Sequence, residues 1–158
     1  VKHQAKVLEL PERLVTEAEY KSSKAEAEQL LARAKATGDS SARGRGNWNA
    51  RIAARYEKLA DNPHPLFSTP VNVLRIGDAV ICTNAFELYT DFGIQMKARS
   101  KANLTLVVQL ANGGGTYLPS ERAVKGGGYG AVIQSNTVGP EGGQVLVEET
   151  LKMVNGMW

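Results

Sequence analysis

Residues 76–130 read IGDAVICTNAFELYTDFGIQMKARSKANLTLVVQLANGGGTYLPSERAVKGGGYG, and the rest of the chain is read outward from them. An apolar strand at 79–83 leads into a polar corner carrying Glu87, and an amphipathic helix follows. A second apolar strand at 104–110 runs into a glycine-rich turn with Tyr117, and a second glycine run ends at Tyr129. Open α/β sheets bind ligands in the crevice beyond the carboxyl ends of their strands. A carboxylate and a phenol placed directly after neighbouring strands therefore mark Glu87, Tyr117 and Tyr129 as one wall of a candidate active site.

Upstream of this stretch, residues 67–76 (FSTPVNVLRI) read as a strand, and Pro70 places an edge or a bulge within it. Gly77-Asp78 is a tight-turn signal, so this strand and 79–83 form a hairpin. The next helix is expected to open at Asn84, with Leu88, Tyr89, Phe92 and Met96 on its apolar stripe. On that reading Asn84 and Glu87 also match a capping box, which is the structural alternative for Glu87. The nearly uninterrupted LTLVVQL at 104–110 suits a strand covered on both faces. Residues 112–115 form a turn, Pro119-Ser120 begins a short helical piece, 129–134 (YGAVIQ) reads as a strand, and a last helix spans 142–155 with Val147, Leu151 and Val154 inward.

The N-terminal third has a strand at 6–10 closed by Pro11, then a helix announced by the capping box Thr16-x-x-Glu19 and stopped by Gly38. A solvated linker is expected over 38–46, with Arg43 and Arg45 in SARGRG. A second helix then starts at Asn47 or Asn49, carries Trp48, Ile52, Tyr56 and Leu59 on one stripe, and ends before Pro63. The helical pair is expected to cover a sheet face, and His64 falls on a loop. Strands mixed with helices, including a hairpin, give an α/β layered domain with a mixed sheet of about five strands covered by helices.

At 158 residues and 17.0 kDa the chain has the length of one domain. Its 42% hydrophobic and 22% charged content is that of a globular protein. No apolar run reaches the ~20 residues of a membrane span. The net charge is +3, but the basic residues are interleaved with glutamates and form no stripe, so nucleic acid is not an expected partner. The single cysteine, Cys82, sits in an apolar strand pattern and reads as a small hydrophobe. The glycines at 126–128 lead into a predicted strand instead of from a strand into a helix, which is the wrong order for a dinucleotide fingerprint. The chain begins at Val1, and the expectation is an excised piece of a larger protein.

Taken in order, an apolar strand, a carboxylate after it, a second apolar strand, Gln109-Leu110-Ala111-Asn112-Gly113, Tyr117-Leu118-Pro119 and Gly127-Gly128-Tyr129 resemble the neutral (non-lysosomal) ceramidase family. The resemblance covers roughly residues 71–154 and is best between Leu106 and Tyr129. It implies a zinc-dependent hydrolysis of a lipid amide. In this chain Glu87 and Tyr117 stand at the positions of a glutamate and a tyrosine zinc ligand, and Tyr129 at that of a tyrosine near the substrate carbonyl. Ala85-Phe86 replaces the family's Pro-Gly before the glutamate, and Gly130 replaces the glutamate after the second tyrosine. No histidine here matches the family's two histidine ligands, which lie far upstream with its catalytic serine. The resemblance thus implies the C-terminal part of a catalytic domain whose partner is the N-terminal half of the same polypeptide, in a secreted, periplasmic or cell-surface setting. A binding or scaffold domain that keeps the fold without the metal is the alternative.

Overall fold

A computed structural model describes all 158 residues. In chain order the elements are β1 (Lys2–Pro11), α1 (Glu17–Thr37), α2 (Ser40–Glu57), β2 (Leu66–Ile76), β3 (Ala79–Thr83), β4 (Glu87–Leu88), α3 (Thr90–Arg99), β5 (Leu104–Val108), β6 (Tyr117–Leu118), α4 (Glu121–Gly126) and α5 (Pro140–Asn155). They fall into two compact units. Val1–Arg13 joins Leu66–Trp158 in one, and Leu14–Pro65 forms the other.

The larger unit is an α/β layered fold on a mixed four-stranded sheet of order β1-β2-β3-β5. β1 runs antiparallel to β2 along its whole length, from Lys2 opposite Arg75 to Pro11 opposite Leu66. The Gly77-Asp78 turn joins β2 to an antiparallel β3, and β5 pairs with β3 in parallel. β3 reaches only Val73–Ile76 of β2, so Pro70 sits where β2 has a ladder partner on one side alone, and its missing N–H costs no ladder bond. A second, two-stranded parallel pair, β4-β6, supplies the remaining strands.

One face of the four-stranded sheet carries the core. Leu8 and Leu10 of β1, Val71 and Val73 of β2, and Val80 and Cys82 of β3 are buried there with Leu146, Val147, Leu151 and Val154 of α5 and Phe92 and Met96 of α3. α5 lies on β1 and β2, and α3 packs between α5 and β5. The two helices are tied by a two-pronged Arg99–Glu148 ion pair at 2.6 Å, which holds the Glu148 carboxyl down at about 2. Their close approach depends on Gly143 of α5, where an added Cβ would lie 2.3 Å from Phe92 Cζ.

The smaller unit is an α-helical hairpin. α1 opens with the expected capping box, Thr16 with Glu19, and closes on Gly38 in the left-handed conformation at φ 72°. Residues 38–46, expected as a linker, instead enter α2 directly. Asp39 caps α2 by accepting from the Ala42 backbone N–H at 3.0 Å, and Arg45 pairs with Glu26 at 3.1 Å. The two glycines in the helix cost up to ~1 kcal/mol each. Gly46, however, is the residue against which Leu31 of α1 packs, with no room for a Cβ, so tertiary packing overrides propensity.

Three further expectations are corrected. The helix does not open at Asn84, because the chain stays extended there. The Asn84 N–H donates to the Val108 carbonyl, the Asn84 carbonyl accepts from Ala111, and the Asn84 side chain accepts from the Phe86 N–H at 3.1 Å. Helix α3 begins six residues later than that reading, at Thr90, so Glu87 is a strand residue and not a helix cap. Residues 129–134 form no strand but a turn and a 3-10 turn at Ile133–Ser135. Side chains take the backbone carbonyls a ladder would have used: Asn136 donates to Val132 and Gly130, and Arg13 to Ala131 at 2.8 Å. Finally, β5 is covered on one face only, with Thr105 buried and Leu104, Leu106 and Val108 exposed.

Gly143→Ala gains helix propensity of up to ~1 kcal/mol but forces a methyl into a buried aromatic ring, an overpacking cost of about 1–3 kcal/mol. The expected result is a net loss of stability, read as a lower urea midpoint with an unchanged denaturant slope.

Candidate functional site

β3 and β5 run in parallel, with Thr83 opposite Val108, so the chain leaves both strands at the same end of the sheet. The segment after β3 and the segment after β5 then stay zipped together. Asn84 bonds to Val108 and Ala111, Leu110 N–H donates to Phe86 O at 3.2 Å, and Gly115 N–H donates to Ala85 O at 2.9 Å. The zip ends as β4 against β6, where Glu87 stands opposite Tyr117 and the Glu87 N–H donates to Thr116 O at 2.9 Å. Leu88 N–H is taken by the side chain of Gln109 at 2.8 Å.

Glycine lets this loop come so close. A Cβ on Gly115 would lie 2.3 Å from the ring of Phe86, which is fully buried beneath it. Three non-glycine residues of the loop hold positive φ: Leu110 at 57°, Asn112 at 64° and Thr116 at 60°. For a leucine and a β-branched threonine this conformation is strained, and strain of this kind gathers at functional sites. Thr116 is the residue that delivers Tyr117.

The three residues singled out from sequence are together in space. Glu87 and Tyr117 stand opposite one another in the β4-β6 pair. The Tyr129 ring meets the Tyr117 ring edge-on, with centroids 5.7 Å apart and planes at 86°, and Tyr129 is 70% exposed. A fourth group joins them that sequence reasoning placed on a helix stripe: Tyr89. Its hydroxyl and the Tyr117 ring both press on Gly130, where an added Cβ would lie 2.9 Å and 2.8 Å from them. A side chain at Gly130 would therefore displace Tyr117 or the Tyr89 hydroxyl.

The hydrogen bond to Glu87 is the main reason the Tyr117 phenol is held above its ordinary value of about 10. Desolvation and the nearby charges of Glu87, Tyr129 and Tyr89 act in the same direction. Tyr117 is therefore a neutral donor at pH 7.

Beside this cluster, a cleft of about 720 Å³ opens among the starts of α3, α4 and α5. Asp91 there accepts from the Ser120 hydroxyl and pairs with Arg122 at 2.7 Å. Ser120 caps α4, as the Pro119-Ser120 signal predicts. The sequence carries no signal for its bond to Asp91, which only the β4-β6 pairing brings about. A smaller groove of about 170 Å³ lies on the other side of α3, lined by Leu88, Tyr89, Ile94, Val107 and Gln109.

A catalytic zinc takes about three protein ligands and a water. Glu87 and Tyr117 offer two oxygen donors, and no group of three or more histidine, cysteine or acidic side chains gathers in the chain. His3 is engaged with Asn72 on the sheet at 3.1 Å, and Cys82 is buried with its thiol pushed up to about 12. The residues present therefore do not fit a complete zinc site. No protein-family model matches this sequence, and no curated protein or solved structure matches it either.

Two outcomes follow for the cluster. A raised phenol pKa stabilises the fold fully below pH 10, and that contribution is lost as pH rises through the folded value. In a phenolate absorbance titration, wild type minus Tyr117→Phe should show a tyrosine titrating above 10, and Glu87→Gln should bring it back toward 10. Gly130→Ala should move the Tyr117 and Tyr129 ring resonances and lower stability by about 1–3 kcal/mol, the range for forcing a methyl into a packed site. Unchanged ring shifts would contradict the packing described.

Proposed function

We propose that this chain forms one wall of a hydrolytic site for an amide, of the kind its resemblance to neutral ceramidases implies. The observation that carries the reading is convergence. A carboxylate from β4, a phenol from β6 and a second, exposed phenol from the glycine loop meet at the end where parallel β3 and β5 terminate. In this reading Tyr129 donates a hydrogen bond to the carbonyl oxygen of the amide and to the oxyanion that develops on it. Tyr129 is 70% exposed. Tyr117 holds the Tyr129 ring by its edge, and Glu87 holds Tyr117. Glu87 and Tyr117 are the two oxygen donors this chain would give to a zinc ion, fewer than a catalytic zinc takes. The rest of the ligand set would come from a polypeptide segment outside these residues. The lipid nature of the amide and a secreted, periplasmic or cell-surface setting belong to the same proposal.

One observation favours a second reading, a scaffold or binding domain without a metal: Glu87 and Tyr117 face one another as a cross-strand pair, and no group of three or more metal-ligating side chains gathers around them. Calorimetric titration of Zn²⁺ into the 158-residue protein, with tyrosine absorbance followed in parallel, separates the two. The amidase reading expects weak binding that Glu87→Gln and Tyr117→Phe each abolish, with a phenolate signal on binding. No binding, or binding indifferent to both substitutions, supports the scaffold. Tight stoichiometric binding would mean that the chain holds more ligands than these two, against the arrangement described.

A further inference from the structure

The sequence holds two Asn-Gly pairs, Asn112-Gly113 and Asn155-Gly156. In such a pair the glycine nitrogen can attack the asparagine side-chain amide, because glycine puts no side chain in the path and leaves the backbone free to turn. The fold treats the two pairs differently. Asn155 lies in the last turn of α5. Its side-chain oxygen accepts from the Lys101 N–H at 2.8 Å, its side-chain nitrogen donates to the Arg99 carbonyl at 3.2 Å, and the Gly156 N–H donates to the Lys152 carbonyl at 3.0 Å. Asn112 and Gly113 are both exposed, in the loop between β5 and β6. The Asn112 side chain has a single contact, 3.5 Å from its nitrogen to the Thr83 hydroxyl, beyond the usual range of a hydrogen bond. The Gly113 N–H donates to nothing, although Ala111 and Gly115 on either side both donate across the zip.

We infer that Asn112 is a site of spontaneous deamidation, and that the fold protects Asn155 from the same reaction. The Gly113 backbone nitrogen gives up its proton and bonds to Cγ of Asn112. The Asn112 side-chain nitrogen takes up a proton and leaves as ammonia, which closes a five-membered imide. Water then opens the imide at one of its two carbonyls. Opening at the side-chain carbonyl gives an aspartate. Opening at the main-chain carbonyl gives an isoaspartate, whose main chain runs through the side-chain methylene. Only water enters and only ammonia leaves, so the step needs no enzyme, oxidant or metal, and it is independent of the catalytic reading above. Its place in the fold gives it a consequence. Asn112 holds φ 64° within the stretch that carries Tyr117 from β5 to its position opposite Glu87. The bonds that fix this stretch, Ala111 N–H to Asn84 O and Gly115 N–H to Ala85 O, flank Asn112 at 2.9 Å each. An isoaspartate lengthens the main chain between them, and either product adds a negative charge. The modification therefore displaces Tyr117 and, through the contact of the two rings, Tyr129.

The test is incubation of the 158-residue protein in heavy-oxygen water at neutral and alkaline pH, folded and in urea, followed by peptide mass spectrometry. In the folded protein the peptide containing residue 112 should gain the mass of amide-to-acid exchange with one heavy oxygen, and the peptide containing residue 155 should stay unmodified. In urea both should react at similar rates, because the bonds that separate them are gone. The rate at residue 112 should rise with pH, since the attacking nitrogen must lose its proton. Asn112→Gln, whose longer side chain cannot close the five-membered imide, should abolish the change there. In the converted fraction, isolated by ion exchange on its altered charge, the Tyr117 and Tyr129 ring resonances should shift. An Asn112 that stays intact in the folded protein, an Asn155 that reacts as fast there as Asn112, or unshifted rings in the converted fraction would each overturn the inference.

Discussion

The parallel pairing of β3 with β5 is the constraint from which the candidate site follows. Two antiparallel neighbours would send their chains out at opposite ends of the sheet. Because β3 and β5 run the same way, Asn84 and Gln109 emerge side by side, and backbone hydrogen bonds carry the contact on from Val108 through Ala111 and Gly115 to Thr116. β4 and β6 are only two residues each, too short to be stable alone, yet they inherit their register from the strands before them. The crossover that makes the pairing parallel is α3, and α3 is fixed by Phe92 and Met96 in the core and by Arg99 on Glu148. The position of Glu87 opposite Tyr117 is thus a consequence of the packing of one helix.

Within the site, burial and hydrogen bonding act on the phenols in an ordered chain. Glu87 stands opposite Tyr117 and raises its phenol pKa, the Tyr117 ring meets the Tyr129 ring edge-on, and Gly130 leaves the space that Tyr89 and Tyr117 occupy. The glycine runs serve close approach in some places and left-handed turns in others. At Gly115 and Gly130 the backbone passes within contact distance of an aromatic ring, and at Gly127 and Gly128 positive φ turns the chain back. Tyr129 follows directly and points outward.

The two units differ in what holds them. The helical hairpin depends on small residues, with Ala27 and Ala34 of α1 and Ala42, Gly46 and Ala53 of α2 buried between its helices, and its surface is laced with exposed ion pairs that contribute little each. The sheet unit depends on aliphatic burial on one face. Its chain is interrupted after β1 by the hairpin, yet β1 pairs with β2 over their full length, so the hairpin is an insertion in a β-hairpin connection.

Signals carried by a few adjacent residues were legible without a structure. The Thr16–Glu19 capping box, the Gly38 stop, the Gly77-Asp78 turn, the Ser120 cap and the mixed α/β composition depend on local backbone geometry, and each appears where the residues indicate. The grouping of Glu87, Tyr117 and Tyr129 was also foreseeable, because strand order alone puts the first two beyond neighbouring carboxyl ends. Tertiary structure decided the rest. Asn84 has the side chain of a helix cap, but the sheet offered its backbone better partners, which kept Glu87 extended. SARGRG reads as a linker until Leu31 makes Gly46 a packing surface. LTLVV sets Leu104, Leu106 and Val108 on one face and Thr105 and Val107 on the other, and it is the face with the threonine that the helix covers. A short-range rule sees only the competition among a residue's neighbours in sequence, whereas these outcomes were set by partners brought close by the fold.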